Sequence, residues 1–451
     1  MQRKTNYTYK GDGRKVSRAR KGSWSRWVVW VCFVTVLANA LIFVQPSNVQ
    51  AAEAVDLKLE AKAAILIEAS TGQVLYEMNA DEPMPPASMS KMMTEYLVME
   101  AVKSGKIKWD TIVSPSQYAV DVIGSGQLIG PGEKYSVEDL FGAMSIYSAN
   151  DATVALAETV GDGSEETFIK MMNDTAKKFG FNEKSFFINS TGLSRADLGK
   201  YAPSGTEPDT MITARDAATL AYHILNEHPE VLKFSSIPSK KFRPSDKTPM
   251  INWNWMLEGN KDNPNFKSYV YQGLDGLKTG HTIEAGYCFT GTAVRNGMRL
   301  ISVVMNTASE PKRFRETQKL LDYGFNTFEM KSVVPAKSEI DSMKTIAVKK
   351  GVKTEVPVVT SDAVDFVVKK GETPEFTVEA APAAEPKSAP IQTGDVLGSV
   401  KVKYNGMEKT VNLVASQDLE KGSWFRLMMR GIKNFFGSIF SGIAGGLKNL
   451  F

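Results

Sequence analysis

Residues 286–306 read G286-Y-C-F-T-G-T-A-V-R-N-G-M-R-L-I-S-V-V-M-N306. Two runs rich in β-branched and aromatic residues flank Asn296-Gly297, a pair suited to a two-residue turn whose central residues both take positive φ. The segment predicts an antiparallel hairpin. Just beyond it, a helical pattern runs from about Pro311 to Phe328. Far upstream, A61-K-A-A-I-L-I-E-A69 and Q73-V-L-Y-E-M-N79, separated by S70-T-G72, predict a second strand pair. The sequence between is helical. One helix spans Ser88 to about Ser104, with Gly105 as its stop, and another opens at S136-V-E-D-L140 with a capping-box-like start. Further helical pattern covers 151–180 and 213–227. Strands at both ends with helices between them predict an α+β fold, an antiparallel sheet packed on a helical region.

After about Lys331 the character changes. T345-I-A-V348, T354-E-V-P-V-V359 and V400-K-V-K-Y404 predict short strands of a small, all-β, sandwich-like domain over 331–415. Within it, V378-E-A-A-P-A-A-E-P-K-S-A-P390 is a poor core former and reads as a loop. Residues 416–451 read as an amphipathic helix. Trp424, Leu427, Met428, Ile432, Phe435 and Ile439 recur at helical spacing, with Arg426, Arg430 and Lys433 on another face. That pattern predicts a helix lying in a membrane interface, and polar interruptions exclude a spanning one. A helix packed on its own domain is the alternative.

The formal charge of +4 conceals an asymmetry. Residues 1–51 hold nine Lys and Arg against Asp12 alone, leaving 45 basic and 49 acidic residues, a net −4. The body therefore has no bias towards polyanions, and nucleic acid is not an expected partner. The basic front leads into an apolar run from Trp27 to Val44 and then V49-Q-A51. This is the pattern of a signal peptide over 1–51, cleaved after Ala51, with an uncleaved anchor as the alternative. Either way the domain beginning at residue 52 is expected outside the cytoplasmic membrane. Cys32 falls in that segment, so a mature chain would keep one thiol, Cys288, expected to be buried and structural. His223, His228 and His281 show no metal-ligand spacing, which argues against a zinc hydrolase. Neither metal nor cofactor is expected.

Three short motifs carry chemistry. S-x-x-K occurs at Ser88/Lys91 and at Ser309/Lys312, S-x-N at Ser148/Asn150, and K-[ST]-G at Lys103–Gly105 and Lys278–Gly280. Context separates the copies. Ser88 starts a helix, whereas Ser309 precedes Pro311; Lys103 ends a helix, whereas Lys278 adjoins the hairpin. One choice gives the order S-x-x-K, S-x-N, K-T-G with the first on a helix and the last beside a strand. These elements are shared by penicillin-binding proteins and class A β-lactamases. Together with A87-S-M-S-K-M-M-T94, Y147-S-A-N-D-A152 and D275-G-L-K-T-G-H-T-I-E-A-G-Y287, the chain resembles the low-molecular-mass, DacA-type D-alanyl-D-alanine carboxypeptidases. The resemblance implies a β-lactamase/transpeptidase-like catalytic domain over 52–330. It also implies peptidoglycan stem peptides ending in D-Ala-D-Ala as substrate, and β-lactam antibiotics as inhibitors.

Acyl transfer needs an activated nucleophile, a proton donor and an oxyanion site. Ser88 is the expected nucleophile and Lys91, one turn on, its base, neutral through burial and the nearby cation Lys278. Ser148 is expected to relay a proton to the leaving nitrogen, and Asn150 to orient Lys91 and the substrate amide. By the resemblance, Lys278 and Thr279 contact the terminal carboxylate, and the N–H groups of Ser88 and His281 form the oxyanion hole. Gly280 is expected to let substrate lie along the sheet edge. Arg313 either adds charge for the carboxylate or is a solvated helix residue. A class A β-lactamase would need E-x-x-L-N, but Leu225-Asn226 has Tyr222 in the Glu position. A transpeptidase or a non-catalytic scaffold fits the same fold; the intact motifs favour the carboxypeptidase.

Overall fold

The computed structural model describes residues 55–448 apart from 127, 206 and 207, with side chains as far as 436. The main body begins at Leu57, and the expected signal segment lies outside the described residues. The central sheet has five antiparallel strands: β1 (Ala63–Glu68), β2 (Val74–Met78), β3 (Leu274–Thr282), β4 (Gly286–Arg295) and β5 (Met298–Thr307). Their order is β2-β1-β5-β4-β3, so the N-terminal pair joins the C-terminal hairpin through β1 and β5, from Ala63↔Met305 to Glu68↔Leu300. The hairpin closes at Arg295↔Met298, with Asn296 at φ 48° and Gly297 at φ 79°. Both turn residues thus take the positive φ that the Asn-Gly pair accommodates. β3, which carries the K-T-G element, is left at the edge.

Every residue of β1 is buried. Alternate side chains explain why the run is continuously apolar: Ala63, Ile65 and Ile67 enter one core, Ala64 and Leu66 the other. The first core is shared with α1 (Lys91–Lys103), α2 (Val137–Tyr147), α3 (Asn150–Val160), α4 (Glu165–Lys178) and α5 (Ala214–Glu227). The second is capped by α6 (Glu310–Thr327) through Phe314, Leu320 and Leu321, packed with Phe289 and Leu300. The helical pattern over 151–180 divides between α3 and α4. A Cβ at Gly161 would lie 2.2 Å from Ser164 O, and the Ser164 side chain caps α4 by accepting from Thr167 N.

C-terminal to α6, β6 (Phe328–Val334) pairs with β9 (Val364–Lys369). β7 (Thr345–Ala347), β8 (Glu355–Thr360), β10 (Thr377–Pro382), β11 (Val396–Tyr404) and β12 (Met407–Ala415) form a sheet in the order β7-β8-β12-β11-β10. Val356, Val358, Phe366, Val400, Val402 and Leu413 supply a third core. Part of the stretch expected to be a loop is β10, which pairs with β11 from Thr377↔Lys403 to Pro382↔Gly398. An edge strand needs backbone pairing on one side only, so a run of poor core formers suffices, and Pro382 sits at its end.

The terminal helix α7 (Trp424–Lys448) begins at the first residue of the apolar repeat, within the 416–451 tail. Residues 416–423 are held by the β region instead: Leu419 is buried and bridges Ile391, and Lys421 bridges Gly351. Trp424 and Phe435 are 75% and 62% exposed, while Arg430 donates to Gly351 O and Val352 O at 3.1 Å each. Among the described residues, no helix is long and apolar enough to cross a membrane.

Candidate active site

Ser88 lies in a 3-10 turn, Ala87–Ser90, that feeds directly into α1. The turn is anchored by Met89 N donating to Pro86 O at 3.1 Å. Three residues on, Lys91 is fully buried, and its Nζ is 2.8 Å from Ser88 Oγ. The same Nζ donates to Thr191 O at 2.9 Å, so the amine is fixed from two sides. Burial holds Lys91 well below the usual ammonium range, the neighbouring Lys278 cation adds to this, and Glu95 and Asp151 oppose it. An amine so placed is available as a base near neutral pH.

The S-x-N element forms the second wall. Ser148 ends α2 in the left-handed region, φ 60°, and its buried Oγ has no hydrogen-bond partner among the described residues. Ala87, next to the nucleophile, is also left-handed at φ 48°. Such backbone costs on the order of 1–3 kcal/mol in non-glycine residues and tends to persist where it aims a functional group. Asn150 Nδ2 donates to Ile123 O at 2.7 Å, and its Oδ1 has no partner among the described residues. Among the described residues it makes no hydrogen bond to Lys91, because α3 starts there and the amide pins the neighbouring 123–126 loop.

The third wall is β3. Lys278 is buried, and its ammonium donates to Thr279 O at 3.1 Å. Gly280 is required by the packing of the site. A Cβ there would come 2.4 Å from Pro86 O and 3.1 Å from Met89 N. The glycine thus lets the nucleophile's turn pack directly on the edge strand. His281 is exposed, with its ring stacked on Tyr287 at 4.0 Å, and burial and Arg313 lower its pKa. Arg313 is not solvated. It is 2% exposed, pairs with Glu310 at 2.6 Å and donates to Gly280 O at 3.4 Å. Cys288 is buried on β4, which pushes its thiol up to about 11.

Ser88, Ser148, Thr279, Gly280, His281 and Arg313 line one cavity of about 260 Å³. Lys91, Asn150 and Lys278 are buried and do not line it. The cavity has further walls that the sequence did not announce. Ser125 donates to Tyr147 O at 2.7 Å, and Trp253 donates to the same carbonyl at 3.0 Å while stacking on the Tyr147 ring. Thr191, which holds Lys91 by a backbone carbonyl, has no side-chain signature. A larger cavity of about 970 Å³ around Tyr118, Glu165 and Arg195 contains none of the motif residues, so size alone does not find the chemistry. Among the described residues, the His and carboxylate group close enough to share an ion is Glu100, Glu227 and His228, and none of these lines the catalytic cavity.

Comparison with known proteins agrees with this geometry. The D-alanyl-D-alanine carboxypeptidase family (peptidase S11) matches residues 48–309, and the C-terminal domain of penicillin-binding protein 5 matches residues 328–421. The chain is 34% identical to the D-alanyl-D-alanine carboxypeptidase DacF of Bacillus subtilis over 83% of its own length and 90% of the relative's. It is 32% identical to DacC of Escherichia coli over 85% and 91%. The crystal structure of PBP3 from Streptococcus pneumoniae aligns with a TM-score of 0.72 at 31% identity, covering 80% of this chain and all of that one. Penicillin-binding protein D2 of Listeria monocytogenes, solved in a cefotaxime-bound form, aligns with a TM-score of 0.50 at 38% identity over 60% and 99%.

Proposed function

The chain belongs to the D-alanyl-D-alanine carboxypeptidase family, and from that premise we propose how its residues divide the work. It is a serine peptidase that removes the terminal D-alanine from peptidoglycan stem peptides through an acyl-enzyme, and β-lactams acylate it. The 2.8 Å contact between Ser88 Oγ and Lys91 Nζ carries the assignment of nucleophile and base. Neutral Lys91 takes the hydroxyl proton as Ser88 attacks the carbonyl between the two D-alanines. The N–H groups of Ser88 and His281 receive the oxyanion, helped by the positive end of α1. Ser148, whose hydroxyl has no partner among the described residues, relays that proton from Lys91 to the departing nitrogen. Water then attacks the ester, Lys91 takes its proton and returns it to Ser88 Oγ as that bond breaks, and the shortened peptide is released.

Lys278, Thr279 and Arg313 supply the positive and hydroxyl groups that recognise the free terminal carboxylate, and Asn150 acts from behind the cavity by holding the loop whose Ser125 lines it. Carboxylate recognition is what makes the enzyme an exopeptidase. It is tested by comparing D-alanine release from a peptide ending in D-Ala-D-Ala with D-alaninamide release from its C-terminal amide. At least a tenfold loss with the amide is expected; equal cleavage of both would refute the carboxylate site.

We also propose a layout of leader (1–51), catalytic domain (52–330), β domain (331–415) and tail (416–451). The exposed aromatic face of α7 would place the enzyme peripherally on the outer face of the cytoplasmic membrane. Full-length protein should then sediment with anionic phospholipid vesicles, while a chain ending at 421 should stay in solution and still release D-alanine. Equal sedimentation of the two would refute the anchor.

A further inference from the structure

The carbonyl that holds the base is itself held, by a side chain outside all three motifs. Thr191 O accepts from Lys91 Nζ at 2.9 Å, and the same Nζ lies 2.8 Å from Ser88 Oγ. A neutral amine has two N–H groups and one lone pair. To take the Ser88 proton its lone pair must face Oγ, so its N–H groups must point away. A carbonyl fixed on another side of the nitrogen turns the amine into that orientation. The position of Thr191 O therefore decides whether Lys91 is a base or only a buried amine.

Asn189 fixes that position. Its Oδ1 accepts from Thr191 N at 3.0 Å, Thr191 Oγ1 at 2.8 Å and Gly192 N at 2.6 Å, and its Nδ2 donates to Leu193 O at 2.7 Å. Two of the three groups facing Oδ1 are backbone N–H groups, so chemistry sets the orientation of the amide. Asn189 and Thr191 are buried, so a lost bond is not replaced by bulk water. The residue between them is clamped as well. Ser190 N and Oγ donate to Glu165, and Thr94 Oγ1, on α1 one turn after Lys91, donates to Ser190 O at 2.9 Å. Gly192, at φ 82°, brings the segment against the nucleophile's turn, where a Cβ would lie 2.0 Å from Ala87 O. The stretch 189–193 thus braces both halves of the catalytic pair.

We infer that Asn189 is a positioning residue for the reaction: it fixes the backbone of Thr191 so that the carbonyl aims the lone pair of Lys91 at Ser88. This inference rests on the proposed role of Lys91 as base. Asn189 does not line the catalytic cavity, and the groups that recognise the carboxylate stand on β3 and α6. Losing Asn189 should therefore slow proton transfer without weakening binding. Lys91 serves acylation and deacylation alike, so kcat should fall while KM holds.

The test is steady-state release of D-alanine from a D-Ala-D-Ala peptide by wild type, Asn189→Ala, Asn189→Asp and Lys91→Met, each at the plateau of its own pH profile, with thermal melts alongside. Asn189→Ala should lower kcat about a hundredfold, the scale of a small misplacement of a reacting group, and leave KM within about twofold. Asn189→Asp keeps an acceptor for all three donors and gives up only the bond to Leu193 O, so its kcat should stay within about fivefold of wild type. Where the alanine variant does not melt cooperatively, the milder truncation Asn189→Ser carries the same expectation of lower kcat at unchanged KM. A wild-type kcat in the truncated variant, a loss carried by KM instead of kcat, or an Asp variant as slow as Ala would overturn the assignment. Wild-type turnover in Lys91→Met would instead refute the reading of Lys91 as base.

Discussion

Ser88/Lys91 and Ser309/Lys312 share the same four-residue pattern, and the fold gives them opposite fates. The first pair opens α1 beneath the sheet edge, where Lys91 is wholly buried, touches its serine at 2.8 Å and is stripped of its usual affinity for a proton. The second opens α6 at the surface. There Ser309 is a plain N-cap, its side chain accepting from Lys312 N, and the 40%-exposed Lys312 side chain pairs with Glu60. Identical spacing gives chemistry in one place and helix capping in the other. The difference is burial and the company of Lys278, neither of which is a property of four residues. The K-[ST]-G copies diverge in the same way. Lys278 is buried on β3, whereas Lys103 is 60% exposed near Glu100 at the end of α1.

That contrast can be broken experimentally. Lys91→Met should cut penicillin acylation roughly a thousandfold, the scale of losing a positioned general base, while Lys312→Met leaves it unchanged. Comparable losses would mean that Lys91 is not the base. Lys278→Ala should lower kcat/KM for a D-Ala-D-Ala peptide by about a hundredfold, and Lys103→Ala should not. The Lys278 variant should have a second effect. Its cation helps hold the Lys91 pKa down, so removing it should move the acid limb of the acylation profile to higher pH; a limb that stays in place would separate the two lysines. The smallest effect belongs to Ser309→Ala, which should cost about 1 kcal/mol of stability by loss of the cap and nothing in acylation, as read by thermal melting alongside the penicillin assay.

Much of this was legible in the chain. The Asn296-Gly297 turn fixed the hairpin, the apolar run at 61–69 placed a strand, and motif order around the single S-x-N at Ser148 selected Ser88 and Lys278 from their duplicates. What was not legible came from distant backbone. Thr191 holds Lys91 with a carbonyl 100 residues away, and no side-chain pattern records such a contact. Gly280 could be read as a place for substrate, whereas its nearest neighbour is the carbonyl of Pro86. Asn150 could be tied to Lys91 by motif, yet its amide serves the loop at Ile123. Arg313 was ambiguous because the helical pattern does not say which face of α6 meets β3. Glu95, one turn from Lys91, is 1% exposed, whereas an acid in a helix reads as solvated from the sequence.

The most direct test is intact and peptide-mapped mass spectrometry after mixing excess penicillin with wild type, Ser88→Ala and Ser309→Ala. A lasting adduct on the peptide containing Ser88 is expected in wild type and in Ser309→Ala, and none in Ser88→Ala. An adduct that persists in Ser88→Ala, or one that disappears in Ser309→Ala, would contradict the assignment of Ser88 as nucleophile.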